Sequence, residues 1–423
     1  MPPRSTLALG PEEVAEVDRL LAPTDELLRR SYPGDAASRQ PVHTVYVPGD
    51  RYHLALPADW GQAALHSVED AGGIGTLCSL LGLTEALAAQ VAPKVEAKLR
   101  DEPIEDLRLD FEDGYGDRGD DAEDRDASQA ARLVAAADRA GALPPFIGIR
   151  FKCFEAPTRA RGLRTLDLFV SGLVEAGGLP AGLVLTLPKV TTVAQVEAMV
   201  YACQRLEVVH GLPAGRLRFE VQMETPQLIL SAEGTVPVAT LLHQADGRVS
   251  ALHYGTYDYS ASLGIAAEYQ SMEHPAADFA KQVMQVAVAG TGVRLSDGST
   301  NIIPVGEPQA VIAAWRLHAR LVRRSLERGY YQGWDLHPAQ LVTRYIATYA
   351  FYREGLPAAT ARLRNYVHHT ESGVMDEPAT ARALAGFIHR AVACGAVADA
   401  EVIESAGITP AQLAALARPS AQN

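Results

Sequence analysis

Strand-like runs alternate with helix-like segments along most of the chain, and this alternation restricts the possible folds more than any other feature. Each run is apolar or β-branched and ends at turn residues, whereas most gaps carry one segment with helical periodicity, such as residues 127–143. The runs cover residues 43–49, 107–112, 146–151, 182–190, 218–224, 249–255, 300–306 and 330–338. Eight strands with intervening helices predict an α/β fold of the (β/α)8 TIM-barrel type, with a doubly wound sheet as the structural alternative.

Helical sequence surrounds and interrupts this predicted barrel. Residues 1–42 are predicted to form an N-terminal extension with an amphipathic helix around Pro11 to Arg30. Within the barrel, residues 43–338, the stretch from about 52 to 105 has a helical pattern and is predicted to be an insert. Residues 339–423 are also helical in pattern, and we expect them to form a C-terminal lid or oligomerisation segment.

Charge and cysteine content limit the partners and the location. A net charge of -13 argues against nucleic acid or an anionic membrane surface as the main partner, because both need a basic face. The four cysteines are far apart and form no C-x-x-C pair, so they are predicted to be buried thiols. No leader pattern and no run of about 18 apolar residues occurs, which predicts a cytoplasmic protein without a membrane span.

A carboxylate-rich stretch follows the second predicted strand. LRLDFEDGYGDRGDDAEDRDA, residues 107–127, begins with apolar residues that alternate with polar ones, as in a half-buried strand, and Glu112 and Asp113 follow. In a barrel the active site lies where strands run into their following loops, so these two acids are placed for chemistry. From Asp117 onward the acidic run is predicted to be mainly a solvated loop.

Carboxylates at the ends of two other predicted strands suit a metal ion. Glu224 ends the fifth strand and Asp258 follows the sixth. Two carboxylates from adjacent strands, completed by waters and a bidentate oxygen substrate, are a usual ligand set for Mg²⁺, with Mn²⁺ as a possible substitute. No histidine pair at helical spacing and no cysteine cluster offers a site to a softer metal. For each acid, an ion pair at the barrel rim is the alternative.

Basic residues at the same rim could bind an anionic substrate. Arg150 ends the third predicted strand and is suited to a bidentate bond with a substrate carboxylate, and a buried ion pair with a rim acid is its alternative. Lys189 follows the fourth strand and is one of only five lysines among 38 basic residues, so both an ion pair and a substrate contact are open to it. Arg159, Arg161 and Arg164 are expected on a solvated loop.

Seven short motifs occur in order between His43 and about Leu384. They are YVPGDR (46–51), LDFEDGY (109–115), GIRF (148–151), LPKV (187–190), QMET (222–225), HYGTYDYSASLG (253–264) and GWDLHPAQ (333–340). This ordered series resembles the HpcH/HpaI aldolase and citrate lyase β-subunit-like superfamily. The resemblance implies a TIM barrel, Glu224 and Asp258 as Mg²⁺ ligands, Arg150 as the substrate carboxylate contact, and three supporting polar residues, namely Glu112, Asp113 and Lys189.

Two further positions lie near or beyond the last strand. His337 is expected to cap the end of the barrel rather than to catalyse. Asp376, in SGVMDEPATARAL, could be a helix N-cap. The stretch also resembles the family's M-I-D-x-P element, whose aspartate reaches from a C-terminal lid into the active site of a neighbouring subunit. We therefore predict Asp376 as a general acid/base supplied in trans, which requires a homo-oligomer, a trimer or a hexamer.

These residues lead to one principal functional hypothesis and three alternatives. The principal hypothesis is a Mg²⁺-dependent carbon–carbon lyase or aldolase that acts on a 2-oxoacid-derived or acyl-CoA substrate through a metal-stabilised enolate. A malate-synthase-like acyl-CoA transferase is the first alternative. A Schiff-base aldolase that uses Lys189 is disfavoured, because nearby anions should keep the amine protonated. The last alternative is a non-catalytic 2-oxoacid sensor.

Overall fold

The computed structural model describes residues 9–35, 39–368 and 377–418, and its eight parallel strands form a closed barrel. They are β1 (His43–Pro48), β2 (Asp106–Asp110), β3 (Phe146–Arg150), β4 (Leu183–Leu187), β5 (Phe219–Met223), β6 (Val249–Tyr254), β7 (Arg294–Ser296) and β8 (Gly333–Asp335). Neighbours pair in the order β7-β6-β5-β4-β3-β2-β1-β8, and a parallel bridge from Ser296 to Gln332 joins the two ends. The predicted (β/α)8 barrel is therefore confirmed.

Helices follow the strands and fill the segments outside them. They are α1 (Pro11–Ser31), α2 (Leu56–Ser67), α3 (Gly73–Leu80), α4 (Glu85–Asp101), α5 (Asp120–Arg139), α6 (Arg159–Glu175), α7 (Val193–His210), α8 (Pro237–Gln244), α9 (Thr256–Ser262), α10 (Pro275–Val288), α11 (Pro308–Glu327), α12 (Pro338–Val367), α13 (Pro378–Ala393), α14 (Asp399–Ala406) and α15 (Pro410–Ala417). The stretch between β1 and β2 is helical, as its pattern predicted. Among the described helices, none is long and apolar enough to cross a membrane.

Polar side chains fill the interior of the barrel. All five residues of β2 are buried, and its alternate residue Arg108 reaches across the barrel to Glu220 of β5, with Nε 2.9 Å from Oε1. Arg108 also lies 2.6 Å from Asp106 within β2. The sequence predicted a half-buried β2, and that was wrong, because the polar face lines the interior while Leu107 and Leu109 join the apolar core.

The seventh strand differs from its prediction. It is β7, only three residues long, whereas residues 300–306 lie in the loop that follows it. In that loop Ile302 is 51% exposed. A three-residue strand is too short to show a periodicity, so the more apolar neighbouring run was chosen in its place.

The acidic run and the basic stretch are also not the solvated loops that we expected. Helix α5 begins inside the acidic run and α6 begins at Arg159. Asp124 of α5 pairs with both Arg161 and Arg164 of α6, and buried Glu123 pairs with Lys152. The two stretches neutralise each other across neighbouring helices, and acids in a first helical turn are favoured by the helix dipole.

Candidate active site

Six of the seven predicted site residues converge at the carboxyl ends of the strands. Backbone positions bring them there, because each follows or ends a parallel strand of the same barrel. The six are Glu112 and Asp113 after β2, Arg150 at the end of β3, Lys189 after β4, Glu224 after β5, and Asp258 in the first turn of α9. The seventh, Asp376, lies outside the described residues.

Lys189 is the centre of this cluster. Its Nζ lies 2.6 Å from Glu112 Oε1, 2.7 Å from Asp113 Oδ1 and 4.0 Å from Asp258 Oδ1. Its backbone N–H donates to Glu224 Oε2 at 2.9 Å. Lys189 has φ +49°, a left-handed conformation that is uncommon for a residue with a side chain. This conformation lets one residue contact all four carboxylates, and backbone strain of this kind is found at functional sites.

Glu224 is the most deeply buried of the rim acids, with 2% of its surface exposed. Its pKa is raised to about 8, mainly by burial and also by the charge of Asp258, while Arg150 acts in the opposite direction. Gly255 makes room for it, because a Cβ at that position would lie 2.3 Å from Glu224 Cγ. A buried acid whose charged form is disfavoured, next to a second carboxyl group, forms a place where a cation would be stabilised.

The chemistry of these donors fits Mg²⁺. Glu224 and Asp258 supply hard carboxylate oxygens, and Asp258 is partly exposed. Within the described residues, no group of three or more histidine, cysteine, aspartate or glutamate side chains could bind a metal ion. Mg²⁺ usually retains waters and takes one or two protein carboxylates together with substrate oxygens, whereas a structural zinc ion needs four protein ligands.

Arg150 forms the buried ion pair that was the alternative to a substrate contact. Its Nε and Nη2 lie 2.7 Å from the two carboxylate oxygens of Asp110. The remaining edge, Nη1, lies 3.5 Å from Glu112 Oε2 and 3.5 Å from Gln222 Oε1. The guanidinium also stacks on Tyr46, 4.8 Å from the ring centroid. Nη1 is therefore the guanidinium nitrogen with the longest contacts.

Three residues at the floor of the site were missed by the sequence analysis. Asp110 fixes Arg150, and Gln222 donates from Nε2 to the hydroxyl of Tyr46 at 3.1 Å. A signal for them exists in the alternation of polar residues at 106, 108 and 110 and at 220, 222 and 224. Once both faces of a barrel strand are known to be buried, such polar positions must point into the interior.

Two residues at the end of β8, Asp335 and His337, have structural partners. His337 follows β8 and is the N-cap of α12, where its Nδ1 accepts a hydrogen bond from the Ala339 N–H at 3.2 Å. Asp335 does not reach the site. It is buried among His43, His318 and Arg344, at 3.0, 3.0 and 2.9 Å.

The fold and the site together define a class of protein. It is a (β/α)8 barrel with a pair of carboxylates, and with basic side chains bound to acids, at the carboxyl ends of its strands. The chain belongs to the family described as "Domain of unknown function (DUF6986)", whose sequence model matches residues 21–421. No curated protein matches the chain significantly.

Several solved structures are similar to the chain. A magnesium/glyoxylate complex of malate synthase from Haloferax volcanii is 15% identical, covers 89% of this chain and 97% of its own, and has a TM-score of 0.48. CitE from Mycobacterium tuberculosis, in complex with magnesium, acetoacetate and coenzyme A, is 18% identical, with 85% and 100% covered and a TM-score of 0.47. A HpcH/HpaI aldolase/citrate lyase family protein from Burkholderia cenocepacia is 18% identical, with 79% and 98% covered and a TM-score of 0.39.

Proposed function

We propose that the chain is a Mg²⁺-dependent carbon–carbon lyase or aldolase acting on a 2-oxoacid-derived or acyl-CoA substrate, with Mn²⁺ as a possible substitute for Mg²⁺. The observation that carries this proposal is the pair Glu224 and Asp258, two acids from neighbouring strand ends that both approach Lys189 at the carboxyl-end rim of the barrel. Mg²⁺ bound by these two residues would supply a Lewis acid that stabilises negative charge developing on a 2-oxo oxygen.

Lys189 acts as a fixed positive charge rather than as a nucleophile. Burial alone would lower its pKa, but hydrogen bonds and charge from Asp113 and Glu112 outweigh burial and raise it. A protonated amine cannot attack a carbonyl carbon, so this direction disfavours a Schiff base. The ammonium instead holds Glu112 and Asp113 at the rim and offsets their negative charge, so that they repel an anionic substrate less.

Arg150 positions the floor of the site and offers one edge to a substrate carboxylate. Asp110 occupies two of its guanidinium nitrogens and fixes the plane of the group over Tyr46. Because Nη1 is the edge left beside Glu112, we expect a contact through one nitrogen rather than the bidentate clamp predicted from sequence.

Proton transfer at carbon needs an acid or base that is not already committed. Glu112 and Asp113 are bonded to Lys189, and we assign Glu224 and Asp258 to the metal ion. We therefore propose Asp376 for this role, supplied by a neighbouring subunit of a homo-oligomer, a trimer or a hexamer. Mixed oligomers of inactive Asp376→Ala and inactive Glu224→Gln chains should regain part of the activity, and mixed oligomers without any recovery would contradict a shared site.

A binding experiment tests the site without knowledge of the full substrate. Metal-free protein is titrated by calorimetry with pyruvate, oxaloacetate or glyoxylate, with and without Mg²⁺. We expect saturable binding of at least one 2-oxoacid only when Mg²⁺ is present, together with a rise in the unfolding temperature. Glu224→Gln should abolish the Mg²⁺-dependent part. Equal binding with and without Mg²⁺ would refute the proposal.

The reaction class is then decided by the products. The protein is incubated with Mg²⁺, an acyl-CoA ester and the 2-oxoacid that bound, and free thiol and new carbonyl products are measured separately. Carbon–carbon cleavage or addition without thiol release supports a lyase or aldolase. Stoichiometric thiol release supports the malate-synthase-like alternative and overturns the reaction class proposed here.

A further inference from the structure

A second cavity lies at the opposite end of the barrel, at the amino ends of the strands. Its volume is about 240 Å³. Each of the eight strands contributes a lining residue at, or directly beside, its start, from Pro41 near β1 to Gln332 before β8. We call this cavity the N-terminal mouth. None of the candidate active-site residues lines it.

Arginines dominate the charged lining of the N-terminal mouth. The lining contains four arginines and two carboxylates, in a chain whose net charge is -13. The two carboxylates, Asp106 and Glu220, are both bonded to Arg108, and Glu220 Oε2 also lies 2.9 Å from His253 Nε2. These two carboxylates are therefore already bonded, and three further arginines lie in the lining.

These three arginines are Arg216, Arg218 and Arg294. Arg216 Nη2 donates only to the backbone carbonyls of Leu179 and Pro180, and Arg218 Nη2 lies 3.5 Å from the carbonyl of Val249. In the part of the chain that the structure describes, neither Arg216 nor Arg218 has a carboxylate partner. Their charged groups are thus held in a concave site with backbone acceptors only.

The pKa shifts of these three arginines agree with the geometry. Partial burial lowers the pKa of Arg216, and desolvation by the surrounding protein lowers the pKa of Arg218, although part of that side chain remains exposed. The pKa of Arg294 is lowered to about 10, first by burial and then by the charge of Arg218, although Asp106 acts in the opposite direction. Surroundings that disfavour a cation become favourable when an anion binds beside it.

A neighbouring cavity of about 300 Å³ extends the same basic region. It shares Gly292 and Arg294 with the N-terminal mouth and is also lined by Arg390 and Arg418. Gly290 and Gly292, on either side of Thr291, have φ of +76° and +78°. Left-handed glycines bring the backbone close to a space without adding a side chain. Both glycines line the neighbouring cavity, and Gly292 also lines the N-terminal mouth.

We propose that the N-terminal mouth binds a small multivalent anion with two or more phosphate or carboxylate groups. Guanidinium groups bind both kinds of oxyanion through paired hydrogen bonds. The size of the cavity favours a small ligand, because pockets for drug-sized molecules span about 300–1,000 Å³. The site lies at the opposite end of the barrel from Glu224 and does not depend on the proposed function.

Calorimetry with pyrophosphate and with citrate tests this site and distinguishes the two oxyanion types. Metal-free protein is used at constant ionic strength, so that binding at the carboxyl-end rim does not contribute. We expect saturable binding of at least one anion, weakened by about tenfold or more in Arg218→Gln, because each hydrogen bond to a charged group is worth roughly one decade in affinity or more. Glu224→Gln should bind as wild type does.

The matched control is Arg132→Gln, which removes an exposed arginine of α5 that does not line the cavity. It should leave the affinity unchanged. Protection of Arg216 and Arg218 from phenylglyoxal by pyrophosphate or citrate, read by peptide mass spectrometry of the wild-type protein, provides a measurement that needs no variant. Absence of saturable binding by both anions, or equal affinity in wild type and Arg218→Gln, would overturn the proposal.

Discussion

At the scale of single residues, Lys189 links Glu224 to the other acids of the candidate site. Its backbone N–H binds Glu224, and its ammonium binds Glu112 and Asp113. The side chain is partly buried, and Glu112 is almost fully buried, so these contacts are shielded from water more than a surface pair would be. Removing the cation leaves two neighbouring carboxylates that repel each other.

Lys189→Gln is therefore expected to lower the free energy of unfolding of the metal-free protein by about 1–3 kcal/mol, the usual cost of leaving a buried polar group without its partner. Urea unfolding monitored by circular dichroism measures this loss. The double variant Lys189→Gln/Glu112→Gln should recover part of it, because one of the repelling charges is gone. An additive loss in the double variant would show that the pair is not coupled.

Glu224→Gln should have the opposite effect on stability. The substitution removes an acid whose charged form is disfavoured by burial and by Asp258, and a glutamine oxygen can still accept the Lys189 N–H. We expect metal-free Glu224→Gln to be at least as stable as wild type while it loses Mg²⁺-dependent ligand binding. Asp258→Asn should lose that binding too.

Glu207→Gln is the matched control for a buried glutamate. Glu207 is bonded to Arg248 at 2.7 and 2.8 Å, so its loss leaves a buried guanidinium without a partner. It should destabilise the fold, by about 3–5 kcal/mol if it behaves as broken buried pairs usually do. If thermal melts show that Glu224→Gln destabilises the metal-free protein as much as Glu207→Gln, the idea of an uncompensated acid at the rim is wrong.

At the scale of elements, helix α1 stands apart from the rest. It has 21 residues and none of them is buried, although it carries exposed apolar residues such as Val17 and Leu20. By contrast, the eight-residue α15 buries Leu413 and Ala417. Apolar area removed from water is the main source of stability, so the long helix contributes less to the fold than the short one.

Deletion of residues 9–31 is expected to leave the unfolding temperature of the protein unchanged. The deletion retains Tyr32, whose ring packs against His243 with 5.4 Å between the ring centroids. Removal of α15 should lower the unfolding temperature, because it exposes the surface that Leu413 covers. Differential scanning calorimetry of both truncations gives the comparison, and a large loss on deleting α1 would mean that it is packed in solution.

Element by element, the length of each run decided what the sequence could predict. Six strands of five or six residues were identified from runs with turn residues at their ends, and the three-residue β8 lies within the longer run at 330–338. The three-residue β7 was missed because it carries no period of its own and the more apolar run at 300–306 lies close to it. Starts of α5 and α6 were missed for another reason. Their charges are neutralised by partners about 40 positions away, such as Asp124 with Arg164, and no local pattern contains that information.

The site residues at the ends of strands could be predicted from the sequence, whereas their partners inside the barrel could not. The rule that loops after parallel strands form the site brought out Glu112, Lys189, Glu224 and Asp258. The partner of Arg150 could not be chosen from sequence, because several acids end nearby strands and only the barrel geometry selects Asp110.

At the scale of the whole molecule, polar side chains occupy successive levels of the barrel interior from one end to the other. Arg108 and Glu220 line the N-terminal mouth, the Gln222–Tyr46 hydrogen bond lies between, and Arg150 faces the opposite rim. A barrel interior is normally filled with branched apolar side chains. Here buried charged pairs occupy part of that space. The free energy of unfolding should therefore depend on pH, since each buried group favours one protonation state.

His318 allows a specific test of this sensitivity. It is fully buried, with Nδ1 2.7 Å from Thr343 Oγ1 and Nε2 3.0 Å from Asp335 Oδ1. Burial lowers its pKa, Arg344 and His43 act in the same direction, and Asp335 opposes them without reversing the shift. The folded state therefore releases the proton of His318 more readily than the unfolded state does.

The sign of the pH effect follows from this direction. Below the unfolded-state pKa of about 6.5 the unfolded chain takes up a proton that folded His318 resists, so acidification lowers the free energy of unfolding by up to about 1.4 kcal/mol per pH unit. His318→Gln should remove this contribution, since glutamine does not titrate. Urea unfolding at pH 7.5, 6.5 and 5.5 should therefore give a smaller loss of stability in the variant than in wild type. Glu224, whose raised pKa has the opposite effect in this range, is present in both proteins and cancels in the difference. Equal pH dependence would show that Asp335 keeps His318 titrating as it does in the unfolded chain.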